Sequence, residues 1–197
     1  MDDGLCFIEI EDTKINKEVL LSFESGHPCM DDFLHNDCMK ISGKGEGVTY
    51  ILVQRNEYEE NNISIVFAFA TIATMGLMHM DDIEDIPIKD ITKCDRVENI
   101  SCLEIKYFAI HKRFRGAKDK NYNRFSFKFF NILLQNLYIM SMRVIGFKML
   151  FLRSNIEGMP LYSSAGFKSL VDYIIPYDKV AEGCEPMGLS LSELNCW

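Results

Sequence analysis

The sequence predicts one α/β domain spanning residues 1–197, with a central mixed, mostly antiparallel sheet and helices on both faces. Three observations carry that expectation. The chain of 197 residues can bury a sizeable core and holds no repeat, low-complexity tract or linker that would divide it. Residues 48–54 and 63–74 are apolar runs on either side of the polar stretch NEYEENN, the pattern of an antiparallel hairpin with a long turn. Residues 101–130 pass from an apolar run through a basic turn into a helical pattern.

Taken in order, LCFIEI at 5–10 reads as the first strand. INKEVLLSF then leads to the turn signal Ser25-Gly26, after which Pro28 suits the first position of a helix. Asp31 and Asp32 fall in its first turn, where the helix dipole favours them. Met30, Phe33, Leu34 and Cys38 are spaced to form one apolar stripe. SGKGEG at 42–47 reads as a flexible loop before the hairpin. The segment 75–100, with Met75, Met78 and Met80 followed by MDDIEDIPIKD, reads as a long loop.

The central strand contains Leu103, Ile105, Tyr107, Phe108, Ala109 and Ile110, a composition suited to burial on both faces. The turn after it carries Lys112, Arg113, Arg115, Lys118, Lys120, Arg124 and Lys128, with Gly116 among them. From about Asn123 the spacing of Phe125, Phe129, Ile132, Leu133, Leu137 and Tyr138 is helical. A helix start offers unpaired N–H groups and the positive end of its dipole, so a strand, a basic glycine-containing turn and a helix can hold phosphates. Residues 148–153 read as a further strand, Met159–Ser164 as a short helix, and FKSLVDYIIPYD and PMGLSL as two closing strands.

Charge and composition narrow the function. Residues 111–128 hold seven basic residues against Asp119 alone, a net of +6 that leaves −14 for the rest of a chain whose formal charge is −8. An acidic body with one basic loop suits a small polyphosphate ligand better than an extended nucleic-acid backbone. No stretch reaches the roughly 18 apolar residues of a membrane span, and the acidic N-terminus is not a signal peptide. Seven scattered cysteines without a CxxC pair, and four histidines, predict free thiols in a reducing cytoplasm and no metal site.

Two motifs give these elements a family. Residues 113–118 read Arg113-Phe114-Arg115-Gly116-Ala117-Lys118; residues 155–167 read Asn155, then Leu161-Tyr162, then Gly166-Phe167. Together they resemble the acetyl-coenzyme A-binding half of the GNAT N-acetyltransferase superfamily, whose loop has the form Arg/Gln-x-x-Gly-x-Gly/Ala. The second motif matches in full, whereas Lys118 stands where the family has a small residue. FESGHPCMDDFL at 23–34, VTYILV at 48–53 and SIVFAFATI at 64–72 resemble the first half of toxin-type GNAT proteins.

The resemblance implies an acetyl-CoA-dependent N-acetyltransferase, monomeric or homodimeric, that transfers acetyl directly to a primary amine. It implies that backbone groups of Tyr107, Phe108, Ala109 and Ile110 bind the pantetheine arm and polarise the thioester. Arg113, Arg115, Gly116, Ala117 and Lys118 would sit at the pyrophosphate, with Lys118, Lys120 or Arg124 replacing lost N–H contacts by charge. Asn155 would hydrogen-bond the arm, Tyr162 would protonate the leaving thiolate, and Glu104 would relay a proton from the amine. The segment 75–100 would border the acceptor, with Asp81, Asp82, Glu84 and Asp85 attracting an ammonium. The charge balance favours a small-molecule or peptide amine; aminoacyl-tRNA, as in a toxin, and a degenerate non-catalytic coenzyme-binding module are the alternatives.

Overall fold

The computed structural model describes residues 4–80, 97–118, 124–171 and 183–194. Seven strands form one sheet: β1 (Leu5–Glu9), β2 (Val48–Gln54), β3 (Ala68–Met80), β4 (Val97–Ile110), β5 (Met149–Ser154), β6 (Lys168–Ser169) and β7 (Glu185–Ser190). Their order is β1-β2-β3-β4-β5-β7-β6, and only β4 and β5 run parallel. The mixed, mostly antiparallel α/β sheet is therefore as the sequence predicts.

The helices divide between the two faces. On one, α5 (Phe125–Arg143) buries Phe129, Phe130, Leu133, Leu134 and Leu137, a stripe at helical spacing, against Leu103, Ile105, Phe108 and Ile110 of β4. Burying five such side chains is worth on the order of 10 kcal/mol before the entropy of ordering them. On the other, α1 (Lys17–Leu21), α2 (Pro28–Asp32), a single π turn (Phe33–Asp37) and α3 (Cys38–Gly43) bring Phe23, Phe33, Leu34 and Cys38 onto Ile51, Val53, Phe69 and Ala109.

Several expectations need correction. The partner strand of the first hairpin runs Ala68–Met80 and not 63–74, and pairs with β4 as far as Met80 with Val97. The methionine-rich start of the expected loop is therefore an extension of the sheet. NEYEENN is not a simple turn: α4 (Arg55–Glu59) opens it, and Glu57 accepts hydrogen bonds from the N–H and hydroxyl of Ser64, both at 2.8 Å. The expected loop 42–47 begins as the end of α3. The short helix is found where expected, as α6 (Met159–Ser164). Lys120, the acidic run at 81–85 and most of FKSLVDYIIPYD lie outside the described residues.

One irregularity shapes everything that follows. Thr71 pairs with Tyr107 while Ile72 pairs with Ile105, so Lys106 is an extra residue, a β-bulge on β4. Because side chains alternate, the bulge switches the face that each later residue meets. Leu103 and Ile105 pack on the α5 side before it, and Phe108 and Ile110 return to that side after it. Tyr107 and Ala109 turn instead to the α1–α3 side.

Candidate active site

The parallel ladder between β4 and β5 is short. It joins Cys102, Leu103, Glu104 and Ile105 to Met149, Leu150, Phe151 and Leu152 and goes no further. Beyond it β4 stays with β3 up to Ile110, and β5 stays with β7 up to Ser154. The two strands therefore part at the bulge. Residues 106–110 of β4 present an edge that no described strand covers, and Phe108, Ala109 and Ile110 there are at most 8% exposed. Backbone amides in so buried a place need partners, and a slot between splayed strands admits an extended, amide-bearing ligand.

The basic loop closes one end of the slot. A 3-10 turn (Lys112–Phe114) follows β4, with the N–H of Arg113 donated to Nδ1 of His111 at 3.2 Å. Burial lowers the His111 pKa, opposed by the Glu24 carboxylate and reinforced by Lys112 and Arg113. Gly116 takes φ +66, a left-handed conformation that disfavours a side chain. Arg124 stands at the N-cap of α5 without a side-chain cap, and the first turn of that helix holds no acid. A cation at an uncapped helix start is electrostatically adverse unless an anion joins it. Arg113, Arg115, Gly116, Ala117 and Lys118 thus lead into a 19-residue helix that has no side-chain cap, its first N–H, from Phe125, being donated to the Ala117 carbonyl at 3.1 Å.

Across the slot lie β5 and α6. Asn155 is exposed, and its Oδ1 accepts the N–H of Gly158 at 2.9 Å, so that oxygen caps the turn into α6. Gly158 lets the Tyr162 ring lie close: a Cβ there would stand 2.7 Å from Tyr162 Cε2. The ring also packs on Phe130 at 5.1 Å and Phe167 at 6.2 Å. Burial pushes the phenol of Tyr162 up to about 12, so it is protonated at any neutral pH.

Glu104 is not a free carboxylate. Its Oε1 receives the Arg153 Nη1 at 3.0 Å, and its side chain is 13% exposed. The guanidinium lies 5.4 Å from the centroid of Phe151. On the same face Tyr107 stacks on Phe33 at 4.0 Å; burial raises its phenol, with smaller contributions from Cys29, Glu104 and Asp37.

Residues to which the sequence assigns no role hold the site together. Phe114, inside the loop motif, packs on Phe67, Phe125 and Phe129 and anchors the loop to the core. The segment before α2 spans the slot. Glu24 pairs with Lys112 and accepts its N–H, Arg115 Nη1 comes within 3.6 Å of where a Cβ on Gly26 would stand, and His27 meets Glu157 at 3.3 Å. A lone aromatic among cations was the only sequence signal for Phe114; the contacts at 24–27 had none.

A cavity of about 400 Å³ lies elsewhere, where Thr74, Met75, Cys102 and Ile145 meet; Cys102 is the only titratable side chain in its lining. Among the described residues no cluster of three or more His, Cys, Asp or Glu could hold a metal ion, and no helix is long and apolar enough to cross a membrane.

No protein-family model matches the chain, and no curated protein does. Solved structures do. AtaTR bound with acetyl-CoA superposes with a TM-score of 0.67 at 16% identity, over 98% of this chain and 97% of that one. AtaT complexed with acetyl-methionyl-tRNAfMet gives 0.63 at 14% identity, over 97% of each. The KacTA–DNA complex gives 0.61 at 16% identity, over 97% of this chain and 96% of that one. At such identities the likeness is one of architecture: the chain has the GNAT-like fold shared by the AtaT and KacT toxins.

Proposed function

We propose that the chain is an acetyl-CoA-dependent N-acetyltransferase whose acceptor is the α-amine of an aminoacyl-tRNA. What supports the first part is the uncovered edge of β4, which runs straight into a cationic loop at the start of a helix without a side-chain cap. Bound acetyl-CoA supplies an activated acyl group as a thioester. The β4 edge aligns the arm and polarises the carbonyl, and the loop with the start of α5 neutralises the pyrophosphate. The neutral amine attacks the carbonyl carbon, a C–N bond forms, the nitrogen gives up a proton to water, the C–S bond breaks, and the sulfur leaves as the coenzyme thiolate with a hydrogen bond donated by Tyr162.

The state of Glu104 bears on the acceptor. Its carboxylate is already bound to Arg153, so it is a poor relay for a lysine-type ammonium, ordinarily near pKa 10.4. An α-amine, with an ordinary value of about 7.7–8.0, is roughly one-third neutral at pH 7.5 and needs no strong base. The sequence's acidic balance pointed to a small or peptidic amine. The structural likeness to AtaT complexed with acetyl-methionyl-tRNAfMet supports the aminoacyl-tRNA reading, which we adopt.

Incubation with acetyl-labelled coenzyme and parallel panels of aminoacyl-tRNAs, peptides and small amines tests this. Label should enter aminoacyl-tRNA and be released by mild alkaline deacylation as N-acetyl amino acid. Label in small amines or peptides alone would return the function to the small-amine reading. Tight coenzyme binding with no transfer to any acceptor would make the chain a non-catalytic binding module.

A further inference from the structure

We propose that Glu104 and Arg153 are positioning residues: their ion pair is the clasp that fixes where β4 and β5 part. The inference rests on the slot being the coenzyme site. The pair sits at the apex. Ile105 with Leu152 is the last rung of the ladder, Glu104 lies one residue before it on β4, and Arg153 one residue after it on β5. Arg153 therefore leans back across the apex to reach Glu104, over the Phe151 ring. On the opposite face the apex is held by Leu103, Ile105, Leu150 and Leu152 in the core. The ion pair is its counterpart on the α1–α3 face.

Charge also stops the ladder from continuing. One more rung would set Lys106 opposite Arg153, and like charges directly opposite one another destabilise a sheet pair. The bulge places Lys106 outward and exposed, with Nζ 3.4 Å from the carbonyl of Glu46. Glu104 thus holds the last rung closed while the two cations keep the next one open. The apex position decides which β4 amides face the slot, and so where a thioester carbonyl can be seated.

Calorimetry of acetyl-CoA binding to Arg153→Met, Arg153→Lys, Glu104→Gln and the Glu104→Gln/Arg153→Met double variant tests the clasp. Amide hydrogen exchange of residues 103–110 in the coenzyme-free proteins provides a second readout. Arg153→Met should weaken binding by about tenfold, a coupling of the size found within ion-pair networks. The double variant should be no weaker than Arg153→Met, and Arg153→Lys should recover most of the loss. Exchange at 103–110 should quicken in Arg153→Met before any ligand is added. Unchanged affinity and exchange in Arg153→Met would overturn the clasp. So would abolished turnover in Glu104→Gln with affinity and exchange intact, which would make Glu104 a base. A parent protein that does not bind acetyl-CoA would overturn the functional reading instead, and the exchange data would still judge the clasp.

Discussion

Replacing Tyr162 by phenylalanine removes one hydroxyl and little that the fold uses. The ring contacts to Phe130 and Phe167 survive, and the hydroxyl has no hydrogen-bond partner among the described residues. Unfolding free energy should therefore move by no more than about 0.5 kcal/mol. The shifted phenol sets the kinetic effect. Burial pushes it up to about 12, whereas a thiol leaving group has an ordinary pKa of about 8.5. Complete proton transfer to sulfur is then uphill by about 5 kcal/mol, at about 1.36 kcal/mol per pKa unit. A hydrogen bond donated to the developing charge is worth about 1.5–3 kcal/mol. Its loss should slow acetyl transfer by about 10–150-fold. Full general-acid catalysis would instead lose about 10²–10⁴-fold. Single-turnover transfer, with coenzyme affinity measured separately, distinguishes them. An unchanged rate reduces Tyr162 to packing, and a loss beyond about 10³-fold refutes the hydrogen-bond account.

Three further perturbations probe the loop. Arg115→Glu should weaken acetyl-CoA binding by about 1.5–3 kcal/mol in calorimetry, with a smaller salt dependence than the parent. Phe114→Ala strips the loop's partly buried anchor from Phe67, Phe125 and Phe129, so thermal denaturation should show a loss of about 2 kcal/mol together with weaker coenzyme binding. His111 sets a pH dependence. Its folded pKa is lowered, so the stability it contributes is present above the ordinary 6.5 and is lost as pH falls through the lowered value. Coenzyme affinity should decline over that acidic window as protonation removes the acceptor for the Arg113 N–H, and His111→Gln should flatten the decline.

Legibility in the sequence followed the range of the interaction. α6 and the strand at 48–54 are local patterns of apolar period and helix spacing, and they fold as read; the run at 103–110 is strand within the longer β4. The bulge at Lys106 is not local: SCLEIKYFAI reads as one unbroken strand, and only pairing with Thr71 and Ile72 shows the extra residue. Residues 75–80 carry Met, Gly and His, weak strand formers, and become strand because β4 supplies a partner. The ion pair of Glu104 is not legible in the sequence because its partner, Arg153, is 49 positions away. Asn155 keeps its predicted place at a strand end, but its oxygen is used as a cap.

Two sequence segments that look independent prove to be one device. FESGHPCMDDFL at 23–34 shares in the resemblance to toxin-type GNAT proteins, while Arg113–Lys118 carries the resemblance to the coenzyme loop; neither stretch predicts a contact with the other. In the fold, Glu24 takes both the side chain and the N–H of Lys112, which ties the start of the loop to the 23–28 turn. Arg113, Arg115, Lys118 and Arg124 form no ion pair among the described residues, so they remain to face an anion. Ser25 is fully buried and its N–H is donated to Asp31 Oδ1 at 2.6 Å, so the 23–28 turn is itself held rigid by the first turn of α2. The loop is therefore braced from outside by α2 and from inside by Phe114 before any ligand arrives. In the proposed coenzyme site, bracing of this kind would offset the missing small residue at position 118, because a loop that cannot curl its amides tightly round a phosphate can still present pre-placed cations to it.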